Sequence, residues 1–307
     1  MEYNDTFINQ LIDEEIKFSN TLASIYHYPD NITHLLYLII PAFVIKYGIN
    51  QRSLIEKCFS LVPILIDDKQ DQVYQAYYFS KPVVEDGKYT VLKGIVLNNY
   101  HNIGLMQLLD NLVHEFNHAV NSMKNEIVVG ENILVRTGIV YNCFEKNSLS
   151  FIKKGEESIL EEVLNTKQTE NIINIINGFS NYRINNSTVQ STLYSIYHSV
   201  DSNYNSSSYF LESYICKKLL ENKTFLSTME TLRFEGQLQD IYSFFDTIVG
   251  KDGSLLILSN YLAESIELQK ELLDTKWFKK RKINKIRDIN NKAMIIIEKF
   301  DKNTIYK

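Results

Sequence analysis

A chain of 307 residues has room for one large domain or two modest ones, each with its own core. Its 45% hydrophobic and 22% charged residues are ordinary for a globular protein, and a net charge of -5 gives no reason to expect nucleic acid as a partner. Cys58, Cys143 and Cys216 are odd in number, far apart and without CxxC spacing, which argues against a disulfide framework and for a reduced compartment.

The start, Met1-Glu2-Tyr3-Asn4-Asp5-Thr6-Phe7, lacks the basic stretch and apolar core of a signal peptide. Residues 5–60 read as helices: an acidic amphipathic opening, then 32–47, then 51–60, with Gly48-Ile49-Asn50 as the break between the last two. The apolar run 35–45 is interrupted by Pro41 and is too short for a transmembrane segment, so it reads as a buried helix. The expected location is cytoplasmic. Three candidate strands follow, at 62–66, 72–79 and 89–97, with Glu85-Asp86-Gly87-Lys88 supplying turn chemistry before the third. Residues 102–124 return to helical spacing, with Leu105, Leu109, Leu112, Phe116, Ala119, Val120 and Met123 on one stripe. Two strand-like runs, 126–129 and 133–143, precede a polar loop over 146–155. Beyond residue 156 nearly everything reads helical, broken at 185–187, 201–208 and 250–253.

This order predicts an α+β fold: a small, mainly antiparallel sheet, a central motif helix and an α-helical C-terminal lobe. Along the chain it divides into an N-terminal helical segment (1–60), a core (61–180) and the helical lobe (181–307).

The motif on the central helix is His114-Glu115-Phe116-Asn117-His118. Histidines four apart on a helix project from one face and can grip a single Zn²⁺, and the glutamate beside the first can deprotonate a water held there. The competing reading is a buried histidine pair that satisfies its own hydrogen bonds. Two histidines bind zinc weakly, so a third ligand is needed. The continuation HExxHxxGxxH is absent, because Asn121 and Lys124 stand at its glycine and histidine positions. The best candidate lies 44 residues on, in Ser158-Ile159-Leu160-Glu161-Glu162. Ser158 and Glu161 fit a capping box, which leaves Glu162 as the ligand or as an ordinary solvent-facing residue.

With these residues the chain resembles the gluzincin branch of the zincin metallopeptidases, in which an HExxH helix supplies two histidines and a downstream helix a glutamate. The stretch 160–169 also looks like the L-N-E-x-x-T-E-x-x-T segment of many uncharacterised bacterial proteins of this kind. The resemblance covers roughly residues 60–180 and implies a zincin-like core with one Zn²⁺ per chain. It further implies His114, His118 and Glu162 as metal ligands and Glu115 as general base in peptide-bond hydrolysis, with a peptide or protein as substrate. One place departs from the thermolysin-like pattern: four residues after the glutamate, Thr166 stands where an aspartate orients the first histidine. Thr166 or Asn165 would be a weaker, neutral support for the imidazole. That departure keeps open an alternative, a non-catalytic zincin-fold binding or scaffold protein that retains the metal.

An oxyanion needs a further donor, and His198, Tyr197, Tyr204, Tyr182 and Arg183 are candidates. The strand 93–97 is a candidate edge along which an extended peptide could lie. Residues 276–287 hold seven basic side chains in twelve positions, read as a solvated helix face ahead of an anionic-surface binding segment.

Overall fold

Long helices with apolar faces and short strands bounded by glycine or asparagine turns give an α+β fold. The computed structural model describes residues 3–67, 75–155, 158–199, 214–274 and 279–305, among which are eleven α-helices and seven strands. The chain folds into two compact units, each drawn from separated stretches.

The first unit comprises the described parts of residues 1–81, 92–123 and 168–207. Helix α1 (Asp5–Tyr26) begins on Asn4, whose side chain accepts the Phe7 amide, and ends at His27 in the left-handed region. Helix α2 (Asp30–Tyr47) is buried at every position from 35 to 44 and runs through Pro41 without stopping. An interior proline costs about 3 kcal/mol. Burying a large apolar side chain returns about 1.5–3 kcal/mol, so the leucines, isoleucines and phenylalanine around Pro41 outweigh it. Among the described residues no single helix is long and apolar enough to cross a membrane; α2 passes that test only jointly with Ile49–Leu61, across a bend of 114°. Helix α3 (Arg52–Leu61) sends Phe59 edge-on to Phe43, with ring centroids 5.6 Å apart.

Strand β1 (Ile64–Asp67) pairs in parallel with the end of β3 (Lys88–Asn98), from Ile64 opposite Ile95 to Asp67 opposite Asn98. Strand β2 (Ala76–Glu85) flanks β3 on its other side, giving the order β1-β3-β2. Asp86 (φ 51°) and Gly87 (φ 74°) join β2 to β3, the left-handed pair that a two-residue hairpin turn requires. Residues 95–97 of the stretch 93–97 are therefore interior, not an edge: parallel pairing with the short β1 covers the side that looked open. The edges are β1 and β2, and Pro82 sits in the edge strand β2, where a missing N–H is tolerated. Helix α4 (Leu105–Val120), the C-terminal part of α5 (Ser158–Gly178) and α6 (Ser187–His198) complete this unit.

One charge in this unit sets a pH dependence. Glu15 on α1 is fully buried, and Arg52 Nε lies 2.8 Å from both Glu15 Oε1 and Glu56 Oε1. Burial pushes the Glu15 carboxyl up to about 7, with Arg52 pulling the other way. The folded state then keeps a proton that the unfolded chain releases above its ordinary value of 4.5. Stability from this group is full below pH 4.5, falls as pH rises towards 7 and stays low above it. Glu15→Gln removes that loss. Relative to wild type, its urea-unfolding free energy should rise between pH 5 and pH 8 by on the order of 2 kcal/mol. A difference that does not change with pH would contradict this assignment.

The second unit comprises the described parts of residues 82–91, 124–167 and 208–307. Its antiparallel sheet runs β4 (Ile127–Val129), β5 (Asn132–Thr137), β6 (Val140–Glu145) and β7 (Phe151–Lys153), paired in that order. Residues 133–143, expected as one strand, form two: Thr137 pairs with Val140 around a turn at Gly138, whose φ is 58°. A Cβ at Gly138 would sit 2.0–2.1 Å from the Glu161 carboxylate, so both the backbone and its neighbour demand glycine. The expected loop over 146–155 contains β7, a short strand with no apolar alternation to reveal it.

Helices α7 (Tyr214–Glu221), α8 (Lys223–Glu235), α9 (Leu238–Val249), α10 (Ser254–Asp274) and α11 (Lys279–Ile305) form the rest of the unit. Phe225, Phe245 and Phe300 meet at the centre of its core, with Phe245 stacked on Phe300 at 4.7 Å. Gly236 and Gly250, both left-handed, end α8 and α9. Of the basic cluster, residues 276–278 lie outside the described residues. Lys282 and Lys285 reach Glu271 and Glu264 on α10 at 2.7 and 2.8 Å, as a solvated helix face does.

Candidate metal centre

Helix α4 carries the pentapeptide because its apolar side chains have somewhere to go. Leu108, Leu109, Leu112, Val113, Phe116, Ala119 and Val120 are all buried, and Phe116 stacks on Phe59 at 4.0 Å. Those contacts fix the rotation of the helix and so decide where His114 and His118 point. His118 is 5% exposed and His114 half-buried, with ring centroids 5.0 Å apart and planes inclined by 78°. The carbonyl of His118 accepts from Ser122 Oγ at 2.6 Å, which closes the last turn of the helix.

Glu115 is 8% exposed. Its Oε2 accepts the backbone N–H of Tyr78, on edge strand β2, at 2.6 Å. No side-chain pattern announces a backbone donor, so this partner could not be read from the sequence.

Glu162 lies in the second turn of α5, half-buried. Glu162 lies less than two turns before Gln168 on the same helix. One ligand atom each from His114, His118 and Glu162 all lie within 4.8 Å of one another. Two imidazoles and a carboxylate are the donor set of a zinc centre with an open fourth position, so the residues present fit that ion.

Glu161 does not fold back on Ser158. Its Oε2 accepts from Arg233 Nε and from the Ile139 N–H, both at 2.9 Å, and its Oε1 pairs with Arg233 Nη2. Arg233, fully buried, also donates to Asn165 Oδ1 at 2.7 Å. Asn165 Oδ1 is thus turned to the arginine. Thr166 Oγ1, one turn on from Glu162, is buried without a hydrogen-bond partner. The capping box was a local pattern overridden by a tertiary ion pair. Its partner lies 72 residues away, a lone arginine in an otherwise unremarkable helix.

The oxyanion candidates fare unevenly. Tyr204 lies outside the described residues. Tyr197 Oη donates to Asn177 O at 2.5 Å, and Asn177 is fifteen residues past Glu162, about 22 Å along the same helix. His198 stacks on Tyr194 at 4.0 Å beside it, at that same far end. Tyr182 and Arg183 also follow the end of α5.

Comparison with protein-family models, with curated proteins and with solved structures returned no match, so any functional reading rests on the residues themselves.

Proposed function

We propose that this chain is a zinc-dependent peptidase of gluzincin type, with His114, His118 and Glu162 as protein ligands to one Zn²⁺ and Glu115 as general base. One observation carries the reading: a half-buried carboxylate from α5 stands within 4.8 Å of both imidazoles of an HExxH helix. When bound, zinc supplies Lewis acidity and lowers the pKa of a coordinated water to about 7. Glu115 is the residue that moves protons. Its Oε2 is engaged by the Tyr78 amide, which fixes the plane of the carboxylate and leaves Oε1 to take the water's proton. As the C–N bond of the peptide breaks, Glu115 returns that proton to the leaving amine.

Purified wild-type protein should carry about one zinc per chain, and Glu162→Gln should weaken zinc binding about tenfold or more. A broad peptide library should be cleaved, chelation should stop the cleavage, and added zinc should restore it. Wild-type protein without stoichiometric zinc would sink the proposal.

The alternative, a zincin-fold binding or scaffold protein that keeps the metal without turnover, is favoured by one feature. Four residues after Glu162 stands Thr166, a neutral side chain whose Oγ1 has no hydrogen-bond partner, where an acidic residue would give an imidazole charged support. Zinc retained with no cleavage of the library selects this second reading.

A further inference from the structure

We infer that a buried amide network of Tyr47, Asn117, Asn121 and Gln168 positions α5 on α4 and thereby sets the affinity of the metal centre, an inference that rests on the reading above. Asn117 and Asn121 are 0% exposed and Gln168 is 1% exposed. Asn117 Oδ1 accepts from Tyr47 Oη at 2.7 Å and from Asn121 Nδ2 at 3.0 Å. Asn121 Nδ2 also lies 2.7 Å from Tyr47 Oη and 2.8 Å from the Asn117 carbonyl. Gln168 Oε1 on α5 accepts from Asn117 Nδ2 at 3.2 Å and from Asn121 Nδ2 at 3.4 Å. Three helices, α2, α4 and α5, thus meet at one set of directional bonds.

Simple adhesion does not call for such a set. Apolar side chains of the same shape would hold the helices together without the cost of burying amides, about 1–3 kcal/mol for each one left unbonded. What hydrogen bonds add is register, the best-attested use of a buried polar group between helices. Register matters here because of what the two helices carry. Asn117 stands beside His118, Asn121 is seven residues after His114 on the same face, and Gln168 is six residues after Glu162 on the same helix. A one-residue slip of α5 would move Glu162 by about 1.5 Å and turn it by about 100°. Metal–ligand distances tolerate about 0.2 Å. The network therefore acts through Glu162, and its members are positioning residues.

The full-length chain tests this with zinc affinity by chelator competition, the visible spectrum of the Co²⁺-loaded protein, and thermal unfolding of the apoprotein. Gln168→Met should weaken zinc about tenfold and reduce the Co²⁺ absorption of a four-coordinate site. Tyr47→Phe, which removes one hydroxyl, should weaken zinc several-fold and serves as the deciding variant if Gln168→Met fails to fold. Tyr28→Phe is the control. It loses the Tyr28 Oη acceptor of the Ile64 N–H, elsewhere in the same unit, and should lower stability while leaving zinc affinity and spectrum unchanged. Wild-type affinity and spectrum in both network variants, beside a zinc-binding wild type, would overturn the positioning role alone. A wild type that binds no stoichiometric zinc would overturn the metal centre and this inference with it.

Discussion

Glu115→Gln should lower the rate of peptide cleavage by about 10²–10⁴-fold while leaving zinc content near one per chain. The size of the effect follows from the role assigned to Glu115, since removing a positioned general base costs about that factor. The retention of zinc follows from geometry: Glu115 is not in the His114–His118–Glu162 set. Metal analysis and library cleavage on the same preparation separate the outcomes. Loss of zinc together with activity would mean that the variant damaged the centre and did not isolate the base. Unchanged cleavage would remove Glu115 from the chemistry altogether.

Arg233→Met should destabilise the chain by about 3–5 kcal/mol, read by urea unfolding. Arg233 and Glu161 form a buried pair in which the arginine also holds Asn165 and the glutamate also holds the Ile139 amide. Removing the cation takes the Arg233 ion pair from a buried carboxylate that keeps its bond from the Ile139 N–H. Arg233 also sits against Arg136, whose Nη1 donates to the Arg233 and Gly138 carbonyls at 3.0 and 2.6 Å, so the site relaxes poorly. Neutralising the stranded partner should recover part of the loss, so Arg233→Met with Glu161→Gln is expected to be more stable than Arg233→Met alone. A single variant within about 1 kcal/mol of wild type would show that Glu161 finds water or a proton at low cost.

The parts of this molecule legible in the sequence are those whose physics is local. The helix at 105–120 and the projection of His114 and His118 from one face need only the 3.6-residue period. The Asp86-Gly87 turn needs only its own dihedral angles. Glu162 is singled out by a capping box that Glu161 does not form, together with the resemblance of its surroundings to a known segment; spacing alone does not require it. The misreadings came from long-range pairing. Residues 93–97 looked like an edge because nothing in β1 advertises parallel pairing across some thirty residues. Residues 133–143 looked continuous because their apolar content outweighed one glycine, whose left-handed turn and close Glu161 neighbour show only in three dimensions. Nothing local to Asn117 and Gln168 marks them as buried, because the bond between them joins two helices some fifty residues apart in the chain.

The bond from the Tyr78 amide to Glu115 Oε2 has a bearing on what the glutamine variant is. A carboxylate so held has its two oxygens made unequal by the fold, and a proton gained by the side chain belongs on the free one. Glutamine has the same outline, and its carbonyl oxygen is the only atom that can accept from Tyr78. Its amide nitrogen is thereby directed to where the protonated oxygen would stand. On the proposed mechanism, Glu115→Gln therefore has the outline and hydrogen-bonding pattern of the side chain between its two proton transfers, without the means to make the first of them.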